Sequence, residues 1–137
     1  SPEAAPRAED EAPAGGIDWV DRDEAFERAR REGKPLLVFV TTDWCSRCRE
    51  LEPVFERDEV IRAASDVIAV RQNQDFDGAW LRTVVGDAST YVPRVLFVSP
   101  DGELQSIRSP HPRYPYFYTP SMVSRLVDNM QQAGRAL

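Results

Sequence analysis

The feature that most constrains this chain is a five-residue apolar run, Leu36-Leu37-Val38-Phe39-Val40, that ends a few residues before a cysteine pair, Cys45 and Cys48. Apolarity without alternation over that length predicts a strand buried on both faces, as in a sheet covered by helices on either side. Asp66-Val67-Ile68-Ala69-Val70 and Arg94-Val95-Leu96-Phe97-Val98 read the same way. Helical patterns fill the gaps. Asp21 or Asp23 can cap a helix running to about Arg31, with Phe26 and Ala29 inward and Gly33 as its stop. Cys48, Leu51, Val54 and Phe55 recur at three and four residues, one face of a helix that Pro53 should kink. Asp58 to Ala64 and Asp75 to Gly86 continue the alternation, the second with Trp80, Leu81, Val84 and Val85 on its apolar side.

Around this core the chain predicts a short strand at Ile17-Asp18-Trp19 and a turn at Ser99-Pro100-Asp101-Gly102, with Glu103 to Arg108 pairing back as a hairpin. A loop rich in Pro and Tyr follows. A last helix is capped by Thr119, with Pro120 in its first position and Met122, Val123, Leu126, Val127 and Met130 as its buried stripe. The order strand, helix, strand, helix, strand, hairpin, helix is α/β. It sets the cysteine pair at the carboxyl end of a central strand, where chemistry collects in open α/β sheets. Residues 1–16, rich in Ala, Pro and Glu and without aromatics, bury too little surface to order and read as a flexible tether to a domain of residues 17–137.

Only two cysteines occur in 137 residues, three apart. A disulfide staple closes longer loops and comes in larger sets, so reactivity explains this pair better than stability does. Cys45 falls at the first turn of a helix, where unpaired N–H groups and the helix dipole favour a thiolate, and Arg47 and Arg49 add positive potential. Cys48 is near enough to attack a mixed disulfide formed at Cys45. Pro93, after Tyr91-Val92, can turn the backbone toward the pair if its peptide bond is cis.

Trp44-Cys45-Ser46-Arg47-Cys48 and Tyr91-Val92-Pro93-Arg94 resemble the active-site motif and the cis-proline loop of the thioredoxin superfamily. The stretch from Tyr91 to Gly102 and the later Tyr116-Phe117-Tyr118 look most like the single-domain thioredoxins of the endoplasmic reticulum and anterior-gradient type. The resemblance implies a three-layer fold, a central mixed sheet flanked by helices, with no dissociable cofactor. It makes Cys45 the nucleophile, Cys48 the resolving thiol, and Trp44, Val92 and Pro93 the walls of a substrate groove. Two departures matter. Phe39 stands where thioredoxin carries a buried carboxylate, so a base for Cys48 must come from elsewhere, with Asp43, Glu50 and Asp75 as candidates. Ser46-Arg47 replaces the Gly-Pro and Gly-His dipeptides of thioredoxin and protein disulfide isomerase, and Arg47 should favour the reduced thiolate, making the pair more oxidising than thioredoxin.

The expected activity is thiol–disulfide exchange on protein substrates, with a separate redox partner recharging the pair. The alternatives are a binding or chaperone-like module that forms mixed disulfides without efficient turnover, and a zinc module, for which His111 is the one other strong ligand. A net charge of -6 argues against nucleic acid or anionic lipid as partner. No apolar run approaches the roughly 20 residues of a membrane span, and no leader pattern is visible, as in a cytosolic protein or one already processed. With the tether and without a Lys-Asp-Glu-Leu type ending, these features lead us to expect a periplasmic or exported protein, tethered through a removed segment, with cytoplasm or endoplasmic reticulum lumen as alternatives.

Overall fold

Every residue of the central strand β1 (Leu36–Thr41) is buried, which is why its sequence shows no alternation. The computed structural model describes residues 16–76, 78–86 and 90–137. The expected tether therefore lies outside the described residues, save for Gly16. Strand β1 pairs in parallel with β2 (Ile68–Asn73), in a register running from Leu36↔Ile68 to Thr41↔Asn73. On its other side it pairs antiparallel with β3 (Arg94–Val98), from Leu36↔Val98 to Val40↔Arg94. The sheet is mixed, in the order β2-β1-β3.

Helices cover both faces. Leu37 and Phe39 point into an aromatic-rich layer with Phe55, Phe97, Leu126 and Met130. Leu36, Val38 and Val40 point into an aliphatic layer with Ala25, Ala29, Leu81, Leu96 and Val98. Phe39 sits 4.7 Å from the Phe55 ring and 6.2 Å from that of Trp19. The first helix, α1 (Arg22–Glu32), is capped by the Asp21 carboxylate, which accepts from Glu24 N–H at 2.8 Å. It stops at Gly33, whose φ of 68° is the left-handed region that glycine enters without a Cβ clash.

Proline shapes the next segment. The helix α2 (Ser46–Leu51) tightens into a 3-10 turn over Glu52–Glu56, because Pro53 has no N–H to continue the ladder. Helix α3 (Asp58–Ala63) follows, then the 3-10 turn Ala64–Asp66, and β2 begins two residues later than the apolar run suggests. Helix α4 (Gly78–Val85) buries Leu81 and packs the Trp80 ring edge-on to Phe26.

Three expectations change. Ile17 to Trp19 contributes a single parallel bridge, Trp19↔Ala69, since Trp19 leaves the sheet edge to pack on Phe39 and Phe55. Glu103 to Arg108 makes one bridge, Val98↔Leu104, flanked by the bonds Ser99 N–H to Glu103 O and Gln105 N–H to Phe97 O. At the last helix Pro120 opens a 3-10 turn (Pro120–Met122), closed by Met122 N–H on Thr119 O, before α5 (Val123–Arg135) begins. The Thr119 hydroxyl pairs with that of Ser121 instead of capping the helix. Among the described residues no helix is long and apolar enough to cross a membrane.

Candidate active site

The loop leaving β1 turns at Thr42-Asp43-Trp44 and delivers Cys45 as the N-cap of α2, in extended conformation. Its Sγ accepts the Cys48 N–H at 3.0 Å. The amide that would stabilise a Cys45 thiolate is therefore already aimed at the sulfur. Cys45 and Cys48 are joined as a disulfide, their Cα atoms 5.3 Å apart. Both are buried, at 5% and 2% exposure, so partners reach the pair only from the rim.

Each candidate base has a partner in the structure. Asp43 Oδ1 accepts from Asn73 Nδ2 at 3.2 Å, and Glu50 faces Arg47 at 3.9 Å on the exposed side of α2. Asp75 Oδ2 accepts the Trp44 indole N–H at 3.0 Å. Arg47 is exposed, and Arg49 donates to the Asp43 carbonyl at 3.2 Å, bracing the loop.

Trp44 stands out into solvent, held at its indole nitrogen by Asp75. Asp75 is itself set by a turn in which its N–H bonds Asn73 Oδ1 at 2.9 Å. The turn after β2 is thus stapled to the dithiol loop at two points, Asn73 to Asp43 and Asp75 to Trp44.

On the other side of β1 the Val92–Pro93 peptide bond is cis. The register Val40↔Arg94 carries Pro93 beside Thr41, at the same end of the sheet as the cysteines. Gln74 binds the neighbourhood together: its N–H bonds Thr41 O at 2.9 Å, its Nε2 bonds Thr90 O at 2.8 Å, and its Oε1 accepts from the Arg94 guanidinium. Arg94 is buried, and burial lowers its pKa from the ordinary value, opposed by Tyr91 and Tyr116. Its guanidinium lies 5.8 Å from the centre of the Tyr91 ring. Tyr91 Oη accepts from Tyr116 N–H at 3.0 Å, which joins the cis-proline loop to the Pro- and Tyr-rich loop.

Trp44, Cys45, Cys48, Val92 and Pro93 therefore lie at one end of the sheet, and Arg47 is exposed on α2 beside Glu50. Sequence reasoning overlooked Gln74 and the bridging part played by Arg94. Arg94 carried a signal, as a charged residue opening an apolar strand run. Gln74 carried none, because its task is to bridge segments far apart in the chain. Among the described residues no group of three or more His, Cys, Asp or Glu side chains is placed to hold a metal ion.

Comparison with known proteins agrees with this geometry. A family model described as thioredoxin-like matches residues 18–100. Mouse anterior gradient protein 3 is 30% identical over 125 residues, spanning 88% of this chain and 73% of that protein. The thiol:disulfide interchange protein DsbD of Ralstonia nicotianae is 31% identical over 88 residues, 63% of this chain but only 14% of that longer protein. Among solved structures, a DsbH oxidoreductase superposes with a TM-score of 0.65 at 18% identity, covering 96% of this chain and 94% of its own, a likeness of fold.

Proposed function

The chain belongs to the thioredoxin-like family, and on that premise we propose that Cys45 and Cys48 exchange disulfides with protein substrates. The observation that carries this is the Cys48 N–H aimed at the Cys45 sulfur, at the carboxyl end of the central strand.

In the reducing direction the Cys45 thiolate attacks one sulfur of a substrate disulfide and expels the other as a thiolate. Cys48, deprotonated, then attacks Cys45 Sγ. This closes the Cys45–Cys48 bond and releases the second substrate thiolate, so two electrons pass from the protein pair to the substrate. The reverse sequence oxidises a substrate dithiol. Trp44, Val92 and Pro93 form the groove that lays an extended substrate across the pair, with backbone pairing as in strand addition. Arg47 adds positive potential on the exposed face of α2.

The Ser46-Arg47 dipeptide supports a pair more oxidising than thioredoxin. Such a pair works where disulfides persist, which favours a periplasmic or exported compartment and recharging by a separate redox partner.

Equilibration in graded glutathione buffers tests the reading. A reversible two-electron transition between about -230 and -120 mV is expected, and a value at or below about -270 mV removes the oxidising assignment. Absence of a reversible transition removes the oxidoreductase reading and leaves a module that binds without turnover.

A further inference from the structure

Four large apolar side chains are exposed among the described residues: Trp44 at 67%, Phe76 at 66%, Tyr114 at 40% and the last residue, Leu137, at 51%. Three of the four belong to loops at the dithiol end. Trp44 adjoins Cys45. Phe76 follows Asp75, whose carboxylate holds the Trp44 indole, so it lies on the β2 side. Its backbone is fixed as well, with its N–H on Asn73 O at 3.0 Å and its carbonyl accepting from Gln72 Nε2 at 2.8 Å.

Tyr114 lies on the β3 side, its ring 4.9 Å from that of Tyr91 in the cis-proline loop. It is also supported from beneath. The His111 ring lies 5.1 Å from Tyr114 and 5.4 Å from Phe117, and His111 Nδ1 accepts the N–H groups of Arg113 and Tyr114 at 3.1 and 3.0 Å. A cluster of tilted and edge-to-face rings therefore holds Tyr114 in place while leaving it exposed. Ordered loops that keep bulky aromatics in water forgo their burial, and such patches mark contact sites. Here the patch is confined to the surroundings of the redox pair.

We infer that Phe76 and Tyr114 are specificity determinants flanking the dithiol, and that they select polypeptide segments whose cysteine has bulky apolar neighbours on both sides. Such segments are buried in native proteins, so the substrates are unfolded or partly folded chains. The inference rests on the oxidoreductase reading and adds its substrate class. The placement agrees. Phe76 stands in the turn after β2 and Tyr114 packs on Tyr91 of the loop before β3, so the two lie on either side of β1 at the dithiol end. In an extended substrate the side chains two before and two after the cysteine share its face and span roughly 13 Å. A substrate cysteine joined to Cys45 would carry those two side chains toward the two flanks of β1, where Phe76 and Tyr114 are exposed.

Two peptide disulfides test this, identical except that positions two before and two after the cysteine are Tyr in one and Ser in the other, each cysteine capped by cysteamine. The reduced protein should reduce the Tyr peptide with kcat/KM about ten-fold higher. In Phe76→Ser and in Tyr114→Ser that ratio should fall several-fold, and in the double variant approach one. Phe76→Ser touches no stacked ring, so it reads specificity even where Tyr114→Ser loosens its loop. A wild-type ratio near one, or a ratio unmoved in both single variants, overturns the inference while leaving the oxidoreductase reading in place. Failure of the wild type to reduce either peptide removes both.

Discussion

The two ends of the sheet are built on opposite terms. At the amino ends of β1 and β2 the elements close tightly. Gly134 of α5 meets the turn at Asp66 so closely that an added Cβ would stand 3.1 Å from Asp66 Cβ and 3.2 Å from its carbonyl oxygen. Gly33 ends α1 at the same place, and Glu32, Lys34, Gln131 and Arg135 surround the junction with polar groups. At the carboxyl ends the loops are joined by polar staples through Asp43, Asn73, Gln74 and Asp75 and keep three aromatic rings in water. One end gains stability by contact, and the other gives up apolar burial to keep a reactive pair approachable. Stability and reactivity are thereby separated along the length of β1.

Substitutions at the two ends should fail in different ways. The largest effect is expected from Cys45→Ser, which removes the nucleophile and abolishes turnover. The serine hydroxyl can still accept the Cys48 N–H as an N-cap. Chemical denaturation of the variant should therefore stay within about 0.5 kcal/mol of the reduced wild type. A loss of stability with the loss of activity would show that the dithiol end also supports the fold.

Next in size is an effect at the root of the aromatic loop. Tyr118 is buried, and burial pushes its hydroxyl up to about 12, against the weaker opposing influences of the Asn129 hydrogen bond and Arg125. A folded-state value above the unfolded one of about 10 means that the folded protein keeps this proton while the unfolded chain releases it. The contribution is fully present below pH 10 and is lost as pH rises toward 12, by about 2 kcal/mol. Unfolding free energies measured from pH 9 to 12 should fall more steeply in the wild type than in Tyr118→Phe. Parallel profiles would show that Tyr118 ionises without resistance and that the loop is less firmly anchored than its bond from Asn129 Nδ2, at 2.8 Å, implies.

The smallest of the three concerns the closed end. Gly134→Val places a branched side chain against the Asp66 backbone and should cost about 2 kcal/mol or slightly less by overpacking. The reduction potential and the peptide selectivity should not move. A shifted potential would show that the two ends are coupled through β1.

Much of this molecule was legible in the chain. Continuous apolar runs marked β1 and β3 because strands covered on both faces need no polar alternation, whereas β2 runs on past its apolar run into Arg71, Gln72 and Asn73, which are not buried. Asp21 and Gly33 bounded α1 by local chemistry. The cysteine pair was legible because its spacing, strand and helix are contiguous. Legibility failed where distant segments cooperate. Ile17 to Trp19 alternates like a strand, yet the Trp19 ring packs on Phe39 and Phe55 and only one bridge forms. Asp43, Glu50 and Asp75 looked equivalent as bases for Cys48, and only folding reveals that each holds another group.

By itself, then, the sequence determined the layers, the central strand and the redox pair at its end. Those follow from periodicity and from residues close together in the chain, which act before any long-range contact forms. Tertiary structure alone decided what surrounds the pair. Gln74 joins Thr41, Thr90 and Arg94, Asp75 holds Trp44, and Tyr114 packs on Tyr91 of the cis-proline loop. Each of those contacts spans segments whose pairing no local pattern encodes, because a hydrogen-bond partner or a stacking ring is chosen by position in space.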